Sequence, residues 1–259
     1  IIYDEVHLLP APVFRMTADL QSRRRLGLTA TLVREDGQEG DVFSLIGPKR
    51  FDVPWRDIEA QGWIAPAECT EVRVTMTDAE RLGYAVAEPD ERYKICATAH
   101  TKMPVVRKIL ERHPGEPTLV IGAYLDQLDE LGAELDAPII QGSTRNAERE
   151  KLFDAFRKGE LRTLVVSKVA NFSIDLPEAS VAIQVSGTFG SRQEEAQRLG
   201  RLLRPKGDHR QAHFYSVVSR DTLDTDYAAH RQRFLAEQGY AYTIMDADDL
   251  LGPALPEVE

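Results

Sequence analysis

Apolar and polar positions divide the chain into a short opening and a long, regular remainder. From position 118 onward, apolar runs of strand length at 118–121, 139–140, 164–166, 181–185 and 213–217 alternate with stretches of helical spacing at 125–135, 146–157 and 192–203. This alternation predicts a mostly parallel sheet flanked by helices. Ser191 and Glu194 match the pattern of a capping box at the expected start of the last of those helices. Upstream, Val105, Val106, Ile109 and Leu110 mark one face of a helix over 103–112 that stops at His113-Pro114-Gly115. Residues 78–101 read as helical with a break at Pro89, and 71–76 alternate like a half-exposed strand. In the opening, Ile1-Ile2-Tyr3 and Leu26-Gly27-Leu28 read as two buried strands, with a helical stretch at 14–20 between them. At the other end, a closing amphipathic helix over 222–238, carrying Leu223, Tyr227 and Phe234, stops at Gly239 and leaves a loose tail. Prolines, glycines and both tryptophans gather between 48 and 66, which predicts a domain boundary with a hinge near Pro54.

Three stretches carry candidate chemistry. The first strand runs into Asp4-Glu5-Val6-His7, placing two carboxylates and an imidazole at a C-terminal strand end, where open α/β sheets bind ligands. In a nucleotide hydrolase Asp4 would hold Mg²⁺ and Glu5 would position the attacking water. The same groups could instead cap the next turn. The second strand breaks into Thr29-Ala30-Thr31, whose hydroxyls either bridge to those carboxylates or serve turn chemistry. The third stretch is Gln197-Arg198-Leu199-Gly200-Arg201-Leu202-Leu203-Arg204-Pro205. On a helix, Gln197, Arg201 and Arg204 share one face while Ala196, Leu199 and Leu203 share roughly the opposite one. Two guanidinium forks on one face suit a polyphosphate, and they equally suit a solvated basic surface.

Composition narrows the classes. A chain of 259 residues, 42% hydrophobic and 29% charged, describes one large or two modest globular domains. No apolar run has the length needed to span a bilayer, so no membrane partner is expected. A net charge of -10 argues against coating nucleic acid by bulk electrostatics, so any such contact must be local. The basic residues do cluster, at Arg23-Arg24-Arg25, around Arg157-Lys158 and Arg162, and between Arg198 and Arg210. Cys69 and Cys96 stand apart without zinc or disulfide spacing, which points to a reducing cytoplasm. The chain contains no Gly-x-Gly-x-x-Gly, no Gly-x-Ser-x-Gly and no Gly-Lys dipeptide, so a dinucleotide fingerprint, a nucleophile elbow and a phosphate-cradling P-loop are absent from the sequence given.

Taken in order, Asp4-Glu5-Val6-His7, Leu28-Thr29-Ala30-Thr31 and the arginine stretch from Gln197 resemble motifs two, three and six of superfamily-two helicases. Arg34-Glu35-Asp36 resembles the Arg-Glu-Asp element of the XPB family. Val166-Ser167-Lys168-Val169-Ala170-Asn171-Phe172-Ser173-Ile174-Asp175-Leu176-Pro177 resembles its motif five, with Asn171-Phe172-Ser173 in place of the Asp-Glu-Gly of many relatives. Over essentially its whole length the chain resembles the C-terminal part of a bacterial XPB-type DNA repair helicase of actinobacterial character.

The resemblance implies a fold and a set of roles. The expected architecture is α/β: a RecA-like helicase domain two preceded by the C-terminal part of a RecA-like domain one. Residues 1–54 would belong to domain one, 55–225 to domain two with a shortened thumb-like insertion near 78–101, and 226–259 to a C-terminal helix and acidic tail. The family couples ATP hydrolysis to 3′ to 5′ movement on DNA, with ATP and Mg²⁺ between the two domains. Asp4 and Glu5 would serve the metal and the attacking water. His7, Thr29, Thr31 and Asp175 would bind the nucleotide or couple it to DNA. Gln197, Arg201 and Arg204 would approach the triphosphate, the two arginines as fingers. Arg34, Glu35 and Asp36 would help part the strands, while Gly142, Ser143, Thr144 and Ser167 would touch the DNA backbone. DNA is thus the implied partner, with a nuclease or repair complex as a candidate companion. The Walker A loop would precede Ile1, so the fragment by itself is expected to be inactive. Rival readings are a duplex translocase that does not unwind, an RNA helicase, and a non-catalytic nucleic-acid-binding or interaction module.

Overall fold

The computed structural model describes residues 1–29, 39–61, 67–167, 179–187, 211–237 and 240–252. Its main body is a seven-stranded sheet built from β3 (Ala67–Val74), β4 (Thr118–Gly122), β5 (Ile139–Ile140), β6 (Thr163–Ser167), β7 (Val181–Gln184), β8 (Ala212–Ser219) and β9 (Tyr242–Asp246), in the order β5-β6-β4-β7-β8-β3-β9. Every ladder in it is parallel. Parallel strands must be buried on both faces, so their sequences are apolar at successive positions rather than at alternate ones. β6 shows this clearly: Leu164 and Val166 face one core cluster and Val165 faces the other.

Helices supply the two covers. On one face lie α6 (Lys102–Arg112), α7 (Leu125–Glu134) and α10 (Ala247–Leu251), whose Val105, Val106, Ile109, Leu128, Leu131 and Leu250 pack with Val120, Val165 and Ile183. On the other, Phe153 and Phe156 of α8 (Asn146–Arg157) and Leu235 of α9 (Leu223–Glu237) pack with Leu119, Leu164 and Phe214. β6 and β7 lie on opposite sides of β4, so the connections diverge there, and crevices outside the C-terminal strand ends at such a switch are where open sheets bind ligands. Two further helices, α4 (Asp78–Val86) and α5 (Pro89–Ala97), form a hairpin beyond β3, with the predicted break at Pro89. Thr77 and Glu80 close a capping box on α4, and Glu80 Oε1 also accepts the His100 N–H at 2.8 Å, fastening the hairpin to the approach of α6.

The opening forms a second, two-stranded parallel sheet, β1 (Ile2–Tyr3) with β2 (Leu26–Gly27). Between the strands run a short 3₁₀ turn (Val6–Leu8), α1 (Pro12–Arg15) and a second 3₁₀ turn (Met16–Asp19). After them come α2 (Glu39–Ile46) and α3 (Trp55–Ala60). Val6, Leu9 and Val42 make a small core of their own with Tyr3, Leu45 and Ile46.

Three expectations are corrected. The strands read as buried at 1–3 and 26–28 are open, with Ile2 69%, Leu26 52% and Leu28 48% exposed, because the small core covers only part of this two-stranded sheet. The run at 71–76 belongs to a strand that begins at Ala67 and lies between β8 and β9, so Glu71 is buried. Its carboxylate is satisfied by Arg73 Nε at 2.7 Å and the Tyr242 hydroxyl at 2.8 Å. The tail expected to be loose after Gly239 instead continues into β9, which pairs with β3 from Cys69↔Tyr242 to Arg73↔Asp246, and then into α10.

The packing sets a stability scale. Ile183 is fully buried in β7, and Ile183→Ala is expected to lower the unfolding free energy by about 2–5 kcal/mol through lost contacts and a residual cavity. Thr77→Ala, which removes only the cap of α4, is expected to cost about 1 kcal/mol. Urea titration of the chain measures both.

Candidate functional site

The first group of predicted site residues is assembled where β1 ends. The chain turns at Asp4 and Glu5 because Glu5 adopts a left-handed conformation (φ 51°, ψ 47°), and Asp4 Oδ1 accepts the Glu5 N–H at 3.0 Å. A left-handed backbone is unfavourable for a residue with a Cβ, so the turn holds its carboxylates against a local cost. The neighbouring β2 comes close enough for the Val6 N–H to donate to the Leu28 carbonyl at 3.0 Å. Gly27 permits this approach: a Cβ there would lie 2.7 Å from Val6 Cγ2. The consequence is a direct link between the two predicted motifs, since His7 Nδ1 lies 2.8 Å from Thr29 Oγ1 and 3.4 Å from Glu5 Oε2. The imidazole is buried, whereas Asp4 is exposed and Glu5 half-exposed. Asp4, Glu5, His7 and Thr29 therefore form one cluster with its carboxylates toward solvent.

This donor set fits Mg²⁺. The cation prefers hard oxygen ligands and is usually held by one or two carboxylates, with phosphates and waters completing an octahedron. Asp4 and Glu5 offer that number and type of group. Among the described residues no set of three His, Cys, Asp or Glu is arranged to hold a metal ion unaided.

A second group gathers at the C-terminal edge of the seven-stranded sheet. Ile140 is the partner of Val166, so Gln141 and Ser167 follow at corresponding ends of the neighbouring strands β5 and β6. After Gln141 the chain makes a tight turn: the Thr144 N–H donates to the Gln141 carbonyl and the Gln141 N–H to Thr144 Oγ1, both at 3.0 Å. Gly142 and Ser143 project at its tip, exposed. Arg149 of α8 straps the turn from behind, with Nη2 3.3 Å from both the Gln141 and the Thr144 carbonyl oxygens. Within this edge the Ser167 hydroxyl, Gln141 Oε1 and Arg149 Nε are buried without a hydrogen-bond partner among the described residues. Buried polar atoms of that kind are costly unless a ligand or water completes them. Gly142, Ser143, Thr144 and Ser167 thus share one edge, and Arg149, which the sequence reading missed, underlies it. Its signal in the sequence was only one more basic residue on a charged helix.

Thr31, Arg34, Glu35, Asp36, Asp175, Gln197, Arg201 and Arg204, together with the helix expected over 192–203, lie outside the described residues. Also absent from the sequence reading is a buried ion pair at the same sheet edge, Lys102 Nζ to Asp224 Oδ2 at 2.7 Å.

Comparison with known proteins agrees with this architecture. The family described as ERCC3/RAD25/XPB C-terminal helicase matches residues 58–251. The DNA 3′-5′ helicase XPB of Mycobacterium tuberculosis is 82% identical over 255 residues, which cover 98% of this chain and 46% of that protein. Its counterpart in Kineococcus radiotolerans is 77% identical over 252 residues, 97% of this chain and 45% of that one. The chain therefore spans about half the length of these relatives. The general transcription and DNA repair factor IIH helicase/translocase subunit XPB/SSL2 of Saccharomyces cerevisiae is 39% identical over 252 residues, 95% of this chain and 30% of that one. Among solved structures, S. cerevisiae Dbp5 bound to RNA and ADP BeF3 superposes with a TM-score of 0.66 at 14% identity, over 97% of this chain and 63% of that one, a likeness of fold. The sheet is thus of the RecA-like helicase type, and the chain belongs to the ERCC3/RAD25/XPB C-terminal helicase family.

Proposed function

We propose that this chain is the C-terminal part of an ATP-dependent DNA helicase or translocase that moves 3′ to 5′ and acts in DNA repair. The observation that carries this reading is the 2.8 Å contact between His7 and Thr29, which joins the carboxylate turn to the neighbouring strand end. A change at Asp4 and Glu5 has a short path through that contact to the hydroxyl strand. The relatives named DNA 3′-5′ helicase, at 82% and 77% identity, support the choice of DNA and of polarity.

Each residue then has a task. Asp4 and Glu5 would hold Mg²⁺, which when bound neutralises charge on the phosphates, and Glu5 would orient the attacking water. His7 and Thr29, with Thr31 and Asp175, would relay the state of the nucleotide. Gln197, Arg201 and Arg204 would approach the triphosphate from the opposite domain, the arginines stabilising charge that develops in the transition state. Gly142, Ser143, Thr144 and Ser167 would contact the DNA backbone, where a phosphate oxygen would satisfy the buried Ser167 hydroxyl. Arg34, Glu35 and Asp36 would act at the strand junction. Residues 1–54 belong in this reading to the first motor domain, 55–225 to the second, with α4 and α5 in the thumb-like insertion near 78–101, and 226–259 to the C-terminal helix and tail. A cytoplasmic location and a nuclease or repair complex as companion complete it. Among the described residues, no helix is long and apolar enough to cross a membrane.

The full-length protein tests this reading. DNA-stimulated ATPase is expected to fall by about 10³-fold or more in Arg201→Ala and in Arg204→Ala; unchanged turnover in both removes the finger assignment. Ser167→Ala is expected to weaken single-stranded DNA binding about tenfold, the loss of one hydrogen bond to a charged oxygen, with the KM for ATP unaltered. Displacement of a DNA strand from a 3′-tailed duplex, without displacement from RNA, distinguishes unwinding of DNA from the RNA reading. ATP turnover on duplex DNA with no displacement assigns translocation instead.

A further inference from the structure

The helix that follows the Gln141–Thr144 turn breaks its own pattern at one position. Arg149, Phe153 and Phe156 stand at i, i+4 and i+7 of α8 and therefore share a face. That face packs on the sheet, where both phenylalanines are buried. An apolar residue at 149 would extend the seam, yet the position holds a guanidinium. The helix is regular there, with the Arg149 N–H donating to the Arg145 carbonyl at 2.9 Å, so the departure lies in the side chain alone.

That side chain reaches back under the turn. One nitrogen, Nη2, donates to the Gln141 and Thr144 carbonyls, each at 3.3 Å, and so bonds the first and last residues of the turn together. The two bonds between Gln141 and Thr144 themselves, both 3.0 Å, close the same loop from within. A loop whose ends are tied to each other and to one helix has little freedom at its tip, where Gly142 and Ser143 are exposed. Because Ile140 pairs with Val166, the tip so held stands beside the buried Ser167 hydroxyl on the next strand. Arg149 Nε is buried without a partner among the described residues, a cost that an apolar residue on this face would not carry. Stability alone therefore does not account for arginine here. Hydrogen bonds are directional where apolar contacts are not, and what this arginine adds is a fixed geometry for the turn.

We propose that Arg149 is a positioning residue for the grip on the DNA backbone: it fixes Gly142, Ser143 and Thr144 relative to Ser167 without touching the strand itself. This inference rests on the reading of that edge as the DNA contact. Groups that are already ordered do not have to be ordered on binding, and the cost of ordering a loop subtracts directly from affinity. Arg149 acts on DNA through the turn, so its loss loosens the grip while leaving the number of phosphate contacts unchanged.

Arg149→Gln in the full-length protein tests this, since glutamine keeps α8 helical and removes the guanidinium. Anisotropy of a fluorescein-labelled oligo(dT) strand gives Kd over a range of salt concentrations. DNA-stimulated ATPase gives the half-maximal DNA concentration and kcat, and the thermal midpoint of each variant reports stability. Arg149→Gln is expected to weaken binding about tenfold and to raise the half-maximal DNA concentration equally, with kcat at saturating DNA within about twofold of wild type. The slope of log Kd against log salt is expected to match the wild type. A slope shallower by about 0.7, the loss of one phosphate contact on a single strand, makes Arg149 a direct contact and overturns the positioning role. So does a fall in kcat and midpoint with Kd unchanged. Arg149→Lys, which keeps a donor and the charge, is expected to bind between Arg149→Gln and wild type; weaker binding than Arg149→Gln overturns the role as well. Lys158→Gln is the charge-matched control, an exposed residue about 14 Å away along α8. It is expected to bind as wild type, and a loss equal to that of Arg149→Gln reduces the effect to net charge and overturns the proposal. Wild-type affinity in Arg149→Gln beside weakened Ser167→Ala overturns the positioning role alone. Wild-type affinity in both overturns the assignment of this edge to DNA, and this inference with it.

Discussion

The seven-stranded parallel sheet has to be covered on both faces, and that requirement governs the main body of this molecule. Once helices occupy the two faces, functional side chains concentrate at the strand ends. The described groups follow this rule. Asp4 and Glu5 stand where β1 ends, and Gln141 and Ser167 stand where β5 and β6 end. The Val185–Gly187 segment continues from β7 at the same edge as Ser167. Aliphatic and aromatic side chains make up most of the two clusters packed between the sheet and its helices.

That separation also explains where the polar interior groups are found. Glu71, Lys102, Asp224 and Arg231 are all buried. Glu71 is matched by Arg73 and Tyr242, and Lys102 by Asp224 and the Val185 carbonyl. A buried charge that lost its partner would cost far more than the pair contributes. Such groups therefore tie together elements that come from distant parts of the sequence: Lys102 and Asp224 join α6 to α9 across the end of β7. Apolar packing holds the layers together, and these few directional bonds fix how their ends meet.

Legibility in the sequence follows the same division. The runs at 118–121 and 164–166 are apolar at successive positions, so β4 and β6 were readable, and the helix expected over 146–157 coincides with α8. Glu71 misled because Glu71, Arg73 and Thr75 alternate with Val72, Val74 and Met76 and so imitate a half-exposed strand; only the pairing with β9 reveals that Glu71 is covered. β9 itself was missed because Tyr242 to Asp246 is a lone strand followed by acidic residues, and its pairing with β3 spans most of the chain. Of the candidate site, the order of the carboxylate, threonine and arginine motifs was legible. The contacts that assemble it were not. The His7–Thr29 bond depends on how closely β2 approaches the turn, and Lys102 reads in sequence as one more solvated lysine at a helix start.

Glu5 carries one further implication. Its left-handed backbone would suit glycine or asparagine better than glutamate, by roughly 1–2 kcal/mol. Under the proposed role of Glu5 in ATP hydrolysis, folding and chemistry therefore make opposite demands on this residue. Any selection that scores the fold alone would drift toward Gly or Asn at this position and discard a carboxylate while improving the scaffold. In laboratory evolution of this protein for thermostability, the turn after β1 is thus the place where a gain in melting temperature should be read as a warning.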